Sequence, residues 1–164
     1  MTTEDKKPIA DKTQALLELA QAFIRSELLM EAYYQLCVDW VPEFKDQWFL
    51  LSAQERGHAG AFKKIMESIQ KEPGKWRPGN YLARTVNMMS DEVSQQMEDI
   101  KKGNVVKQRI VTFITGMETS MIESDLGNAF HTSLPEFTDM LSWLAEETAG
   151  HREILMSIEA NFKG

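Results

Sequence analysis

The stretch Leu-Ser-Ala-Gln-Glu-Arg-Gly-His-Ala-Gly-Ala-Phe occupies residues 51–62. Leu51 and Phe62 belong to an apolar stripe continued by Ile65 and Ile69, the recurrence of an amphipathic helix. Glu55 and His58 interrupt that stripe from within, and their three-residue spacing points both side chains the same way. The helix around them is predicted from Phe44 to Lys71, where Pro73-Gly74 stops it. A helix that turns an acid and an imidazole inward beside bulky apolar residues must meet them with something that compensates their charge.

Outward from this helix, three more segments show the same apolar period. The first runs from Asp11 to Trp40 on Leu16, Ala20, Phe23, Met30, Tyr34 and Cys37, with Asp11 and Gln14 suited to cap it and Pro42 to end it. Another spans Val105 to Phe130 on Val111, Ile114, Met121, Ile122 and Ala129. The last opens at Ser133, with a Ser133/Glu136 capping box and Pro135 in its first turn, and continues on Met140, Leu144, Ile154, Leu155 and Ile158. Short connections at Pro42 and Thr132 make two antiparallel helix hairpins of similar length, which suits a pseudo-twofold relation. Pro73 to Gly103 is long enough to run the length of the helices, and after Asn80 it reads as an extra amphipathic helix on the outside. The expected architecture is all-α: a four-helix bundle of the ferritin-like kind, two hairpins joined by a long crossover.

The whole chain has 164 residues and 18.8 kDa, the size of one domain, with residues 1–10 read as a flexible N-terminus and 11–164 as the helical domain. With 9 Gly and 5 Pro it is too poor in turn residues for a many-stranded sandwich or barrel. The net charge of −7 argues against nucleic-acid binding, where phosphates must be neutralised. The polar first twelve residues lack the apolar core of a signal peptide, and no stretch approaches the roughly 18–20 apolar residues of a membrane span. A single cysteine, Cys37, excludes an internal disulfide, a CxxC pair and a rubredoxin-type centre within these residues. It also fits a reducing compartment, so a soluble cytoplasmic protein is expected.

The residues that break the stripes repeat from helix to helix. Glu27 lies between Phe23 and Met30, Glu118 between Ile114 and Met121, and Glu147 and His151 between Leu144 and Ile154. Glu27 and Glu55 are 28 residues apart, Glu118 and Glu147 are 29, so the pairs come to one height in two similar hairpins. Four converging carboxylates repel unless cations neutralise them. Glu18, Glu31, Glu67, Glu98 and Glu123 lack this pattern and read as solvated. Carboxylates and imidazoles together suit iron or manganese, and two Glu plus two Glu/His pairs form the dinuclear site of bundle proteins.

On Ser26-Glu27 with Tyr34, Gln54-Glu55-Arg56-Gly57-His58-Ala59, Gly116-Met117-Glu118 and the Glu147/His151 region, residues 11–162 resemble the rubrerythrin branch of the ferritin-like superfamily, in a form without the rubredoxin module. The resemblance implies two iron ions (or manganese, or a mixed pair) held by Glu27, Glu55, His58, Glu118, Glu147 and His151. It gives Tyr34 the place of a tyrosine that hydrogen-bonds a ligand carboxylate. It implies reduction of hydrogen peroxide, electrons from an external electron-transfer protein, and a homodimer. Ferroxidase activity, iron handling and small-molecule oxygenation on dioxygen lie in the family's range. The pattern departs from the family at Thr148, which stands three residues before His151 where a Glu is expected; Glu147 is four before. It departs also at Met121, where a further Glu is usual, and at Asp125, where a second tyrosine is. Thr148 and Met121 keep open a metal-poor bundle acting as an interaction module. Trp40, Trp48, Trp76 and Trp143 are expected to anchor helix ends and the crossover, Cys37 to be a small buried apolar group, and His131 to close the third main helix at its negative dipole end.

Overall fold

The computed structural model describes residues 3–123 and 126–162. Five α-helices account for most of them: α1 Thr3–Trp40, α2 Lys45–Lys71, α3 Ala83–Lys101, α4 Lys107–Glu123 and α5 Pro135–Asn161. Two short strands, β1 Trp76–Pro78 and β2 Phe130–Thr132, pair antiparallel with Trp76 opposite Thr132, Arg77 opposite His131 and Pro78 opposite Phe130. The chain is thus mostly helical, and no described helix is long and apolar enough to cross a membrane.

α1 packs along α2 and also carries α3, while α4 packs on α5 and α5 reaches α2. The α1–α2 turn is a 3-10 turn at Pro42–Phe44, closed by Trp48, whose indole N–H donates to Val41 O at 2.9 Å. α3 turns Val86, Ser90, Val93, Met97 and Ile100 inward at alternating steps of four and three residues. Arg25 of α1 binds Asp91 of α3 at 2.6 Å on the outer edge of that contact. Gly103, at φ 74°, ends the segment after α3, a conformation that residues with a Cβ rarely adopt.

Several elements differ from the sequence reading. α1 begins at Thr3, so residues 3–10 continue the helix, Asp11 lies inside it, and Gln14 donates to Glu18 at 2.9 Å. Lysines, Glu4 and Ala10 in this stretch are good helix formers, and elongation of an existing helix is easier than nucleation. α4 stops at Glu123, short of Phe130, and a 3-10 turn at Leu126–Asn128 leads into β2. Gly127-Asn128 supplies the break, and Ala129 stays buried outside the helix. His131 is therefore a strand residue and exposed, not a helix terminus. The Ser133/Glu136 capping box does not form: Leu134 precedes α5, and its N–H donates to Thr132 Oγ1 at 3.2 Å, while the Ser133 N–H donates to Lys75 O at 3.3 Å. Pro135 does stand in the first turn of α5.

The buried apolar residues form two clusters. One gathers Phe23, Phe62, Ile65, Trp76, Phe130 and Leu144, with Phe23 stacked on Phe62 at 4.7 Å. The other gathers Met30, Tyr33, Tyr34, Trp48, Ile114 and Leu155. Along α1 the change falls between Ile24 and Met30, along α2 between Leu51 and Ala61, and along α5 between Leu144 and Leu155. The acids and histidines that break the stripes occupy those gaps.

Candidate metal centre

Between the two apolar clusters lie five buried ionisable residues: Glu27 from α1, Glu55 and His58 from α2, Glu118 from α4 and His151 from α5, none more than 2% exposed. His58 Nδ1 lies 3.4 Å from Glu27 Oε2 and 3.3 Å from Glu55 Oε2. His151 Nδ1 lies 3.1 Å from Glu55 Oε1 and 3.5 Å from Glu118 Oε1. Glu55 thus turns one oxygen to each histidine. The two rings stack at 5.2 Å with 20° between their planes. One donor atom from each of Glu55, His58 and His151 falls within 4.8 Å of the other two, so this buried group can hold a metal ion.

Tyr34 of α1 reaches across to α4, where its hydroxyl donates to Glu118 Oε1 at 2.6 Å. Burial first, then the neighbouring Glu118 and Glu55 carboxylates, hold the phenol well above its ordinary ionisation range, so it remains a hydrogen-bond donor. Burial is also the main reason that the Glu27 carboxyl is pushed up to about 8, with the charge of Glu55 adding to it. Glu55 moves the other way: burial would raise it most, but hydrogen bonds with Glu27, His151 and His58 together hold it below the usual carboxylate range. For His58 and His151 burial alone would lower the pKa, yet the surrounding carboxylates outweigh it and raise the rings to about 11 and about 10. In the metal-free protein, protons on the imidazoles supply the positive charge the acids require.

Those protons do not satisfy every group. Glu27 Oε1 and both nitrogens of His151 are buried without a hydrogen-bond partner among the described residues, the approach of His151 Nδ1 to Glu55 and Glu118 being close but misdirected for a hydrogen bond. An orphaned buried polar atom costs about 1–3 kcal/mol. A cation among these oxygens and nitrogens recovers that cost, and the mixed carboxylate and imidazole donors suit a divalent transition metal. Searches against protein-family models, curated proteins and solved structures each find no match to this chain.

Glu147, expected as the fourth-helix ligand, stands at the edge of the group, and Thr148, the departure from pattern, stands on the inner face. Glu147 is 28% exposed, and its Oε2 lies 3.1 Å from His58 Nε2, on the far side of the ring from Glu27 and Glu55. Thr148 is buried on the inner face of α5, and its hydroxyl donates to Leu144 O at 2.9 Å. On a helix of about 3.6 residues per turn Glu147 and Thr148 flank His151 on opposite sides, about 40° and about 60° away, and the Thr148 side is the one turned inward. Asp125 and the side chains of Met121 and Glu123 lie outside the described residues.

Two neighbours of the centre escape the sequence reading. Glu31, read as solvated, is buried because Arg56 of α2 covers it, donating Nε–H to Glu31 Oε1 at 2.8 Å. Trp143, read as an anchor of a helix end, sits one turn before Glu147 and sets its edge against His58 at 5.5 Å and 82°. Their spacing was a signal: Glu31 is four residues after Glu27, and Trp143 four before Glu147. Trp48 and Trp76 do anchor ends, and Cys37 is buried, its thiol raised by burial.

Proposed function

We propose that this chain is a ferritin-like four-helix bundle of the rubrerythrin type, with α3 lying in its crossover, and that its centre holds two iron ions for the reduction of hydrogen peroxide. The observation that carries this reading is Glu55, whose two oxygens approach two different histidines at 3.3 Å and 3.1 Å, so that it could serve both ions. With it, Glu27 and His58 would hold one ion and Glu118 and His151 the other.

When bound, two ferrous ions supply the two electrons that convert hydrogen peroxide and two protons into two waters. The chain's own residues do the rest. The apolar clusters on either side keep bulk water from the acids. Tyr34 fixes the orientation of Glu118 through its donated hydrogen bond. Cys37 is the single cysteine of these residues, which therefore hold no thiol pair to collect electrons, and re-reduction needs an electron donor beyond them. The test is anaerobic loading with two equivalents of Fe(II) followed by peroxide. Oxidation of two irons per peroxide is expected, and absence of stoichiometric oxidation overturns the reading.

Thr148 favours a second reading, a bundle with one metal or none that serves as an interaction module, because its hydroxyl is already committed to Leu144 where a carboxylate would complete the second position. Elemental analysis separates the two: about two metals per chain belongs to the first, one or none to the second.

A further inference from the structure

The two histidines are alike on their inner edges and unlike on their outer ones. Each turns Nδ1 toward two carboxylates: His58 toward Glu27 and Glu55, His151 toward Glu55 and Glu118. On the outer edge, His58 Nε2 meets Glu147 Oε2 at 3.1 Å, whereas His151 Nε2 is buried without a hydrogen-bond partner among the described residues. Glu147 stands on the same helix as His151, four residues before it, yet it serves the histidine of α2. Trp143, from the preceding turn of α5, braces the same ring edge-on.

A neutral imidazole carries one N–H. A carboxylate at Nε2 keeps that hydrogen there, which leaves the Nδ1 lone pair directed inward and raises its basicity. When a metal displaces the Nδ1 proton, the His58 ring is already oriented by Glu147 at its other nitrogen. His151 Nε2 has no such partner among the described residues, so its ring orientation is settled only when the metal binds, at a cost to affinity.

We propose that Glu147 is a positioning residue that holds the His58 ring with Nε2–H outward and Nδ1 inward, so that the position formed by Glu27, Glu55 and His58 takes up a divalent cation before the one formed by Glu118, Glu55 and His151. The proposal rests on the two-metal reading of the centre.

Two measurements on the metal-free full-length chain test it. Mn(II) titration, followed by the electron paramagnetic resonance of free Mn(II), counts the sites and their affinities. Long-range proton–nitrogen spectra of the histidine rings, with one equivalent of Zn(II), show which ring is metal-bound and whether its Nε2–H is hydrogen-bonded. The wild type is expected to bind two Mn(II) in steps at least about tenfold apart, with His58 protonated on Nε2 and bound first. Glu147→Ala is expected to weaken the first step by about 10–100-fold, the range for losing the hydrogen-bond partner of a ligand, and to move the Nε2–H resonance of metal-bound His58 upfield as its hydrogen bond is lost. Glu147→Gln keeps an acceptor oxygen and is expected to retain the Nε2–H hydrogen bond and most of the affinity, which a loss of folding in the alanine variant would not mimic. Equal affinities in the wild type, first occupancy at His151, or an unchanged first step in Glu147→Ala overturn this proposal while leaving the two-metal reading intact. Failure of the wild type to bind Mn(II) or Zn(II) at all overturns that reading itself.

Discussion

The half of the centre supplied by α1 and α2 is finished with carboxylates. Glu27 and Glu55 crowd one nitrogen of His58 at 3.4 Å and 3.3 Å, and Glu147 takes the other at 3.1 Å. The half supplied by α4 and α5 is finished with hydroxyls: Tyr34 donates to Glu118 at 2.6 Å, and Thr148 donates to Leu144 beside a His151 whose outer nitrogen is bare among the described residues. The two helix pairs therefore present the same inner donors, one acid and one imidazole each, plus Glu55 between them, although α1 runs 38 residues and α4 only 17, not the matched lengths the sequence suggested. What surrounds those donors differs. Similar helices set where ligands lie, and their hydrogen-bond partners set how ready each ligand is.

The comparison breaks most completely at Glu55, which belongs to both halves. Glu55→Ala is expected to abolish both metal equivalents, lowering affinity by about 100-fold or more at each position, as measured by metal content after dialysis against Mn(II). Retention of one tightly bound ion would show that the halves do not share a carboxylate. The single-histidine variants come next. His151→Ala is expected to leave one ion at close to the wild-type first affinity, while His58→Ala leaves one ion bound more weakly, about tenfold by the same titration. Thr148→Glu sharpens the comparison from the other side: a carboxylate restored to the inner face of α5 is expected to strengthen the second step by roughly tenfold and bring the two steps together.

The pH dependence of the metal-free protein reads the same cluster through its protons. Glu27 titrates at about 8 in the fold against an ordinary 4.5, and His58 and His151 at about 11 and about 10 against 6.5. All three bind protons more tightly when folded, so their contribution is full below the ordinary values and lost as pH rises through the shifted ones. Glu55, shifted down, has the opposite sign, but it is ionised in folded and unfolded chains alike above the carboxylate range and adds no slope there. The metal-free protein is therefore expected to melt at a lower temperature at about pH 9 than at about pH 6, and Glu27→Gln to flatten part of that fall. A melting temperature that rises over this interval would contradict the proton-compensated cluster. The smallest change is at the hydroxyl: Tyr34→Phe is expected to keep the fold and weaken only the second step, by up to about tenfold, since the ring and its stacking on Trp48 survive.

Much of this site was legible before any coordinates. Helical period fixes which residues share a face, so Glu27, Glu55, His58, Glu118 and His151 could be picked out as acids and imidazoles on apolar stripes. What period does not carry is the partner across the interface. Glu147 sits about one turn before His151 on its helix yet finds the histidine of α2, and Glu31 is buried by an arginine 25 residues away. Short extended segments were equally hidden. Three residues such as Phe130–Thr132 are too few to show alternation, and only pairing with Trp76–Pro78 makes them a strand. The missing capping box at Ser133 has the same origin, because its N–H is taken by Lys75 of the crossover.

That two-strand ladder is small, but it sets a height. It joins the segment leaving α2 to the link between α4 and α5, and so ties the end of α2 to the start of α5. Gly79 makes the setting stiff, since a Cβ there would fall 1.6 Å from Asn128 O. A slip of one residue along β1 would displace one side by about 3.3 Å, against the roughly 0.5 Å within which a metal constellation must be held. The alignment of Glu55 with His151 is in this sense calibrated at the far end of the helices, by a vernier of six residues that touches neither of them.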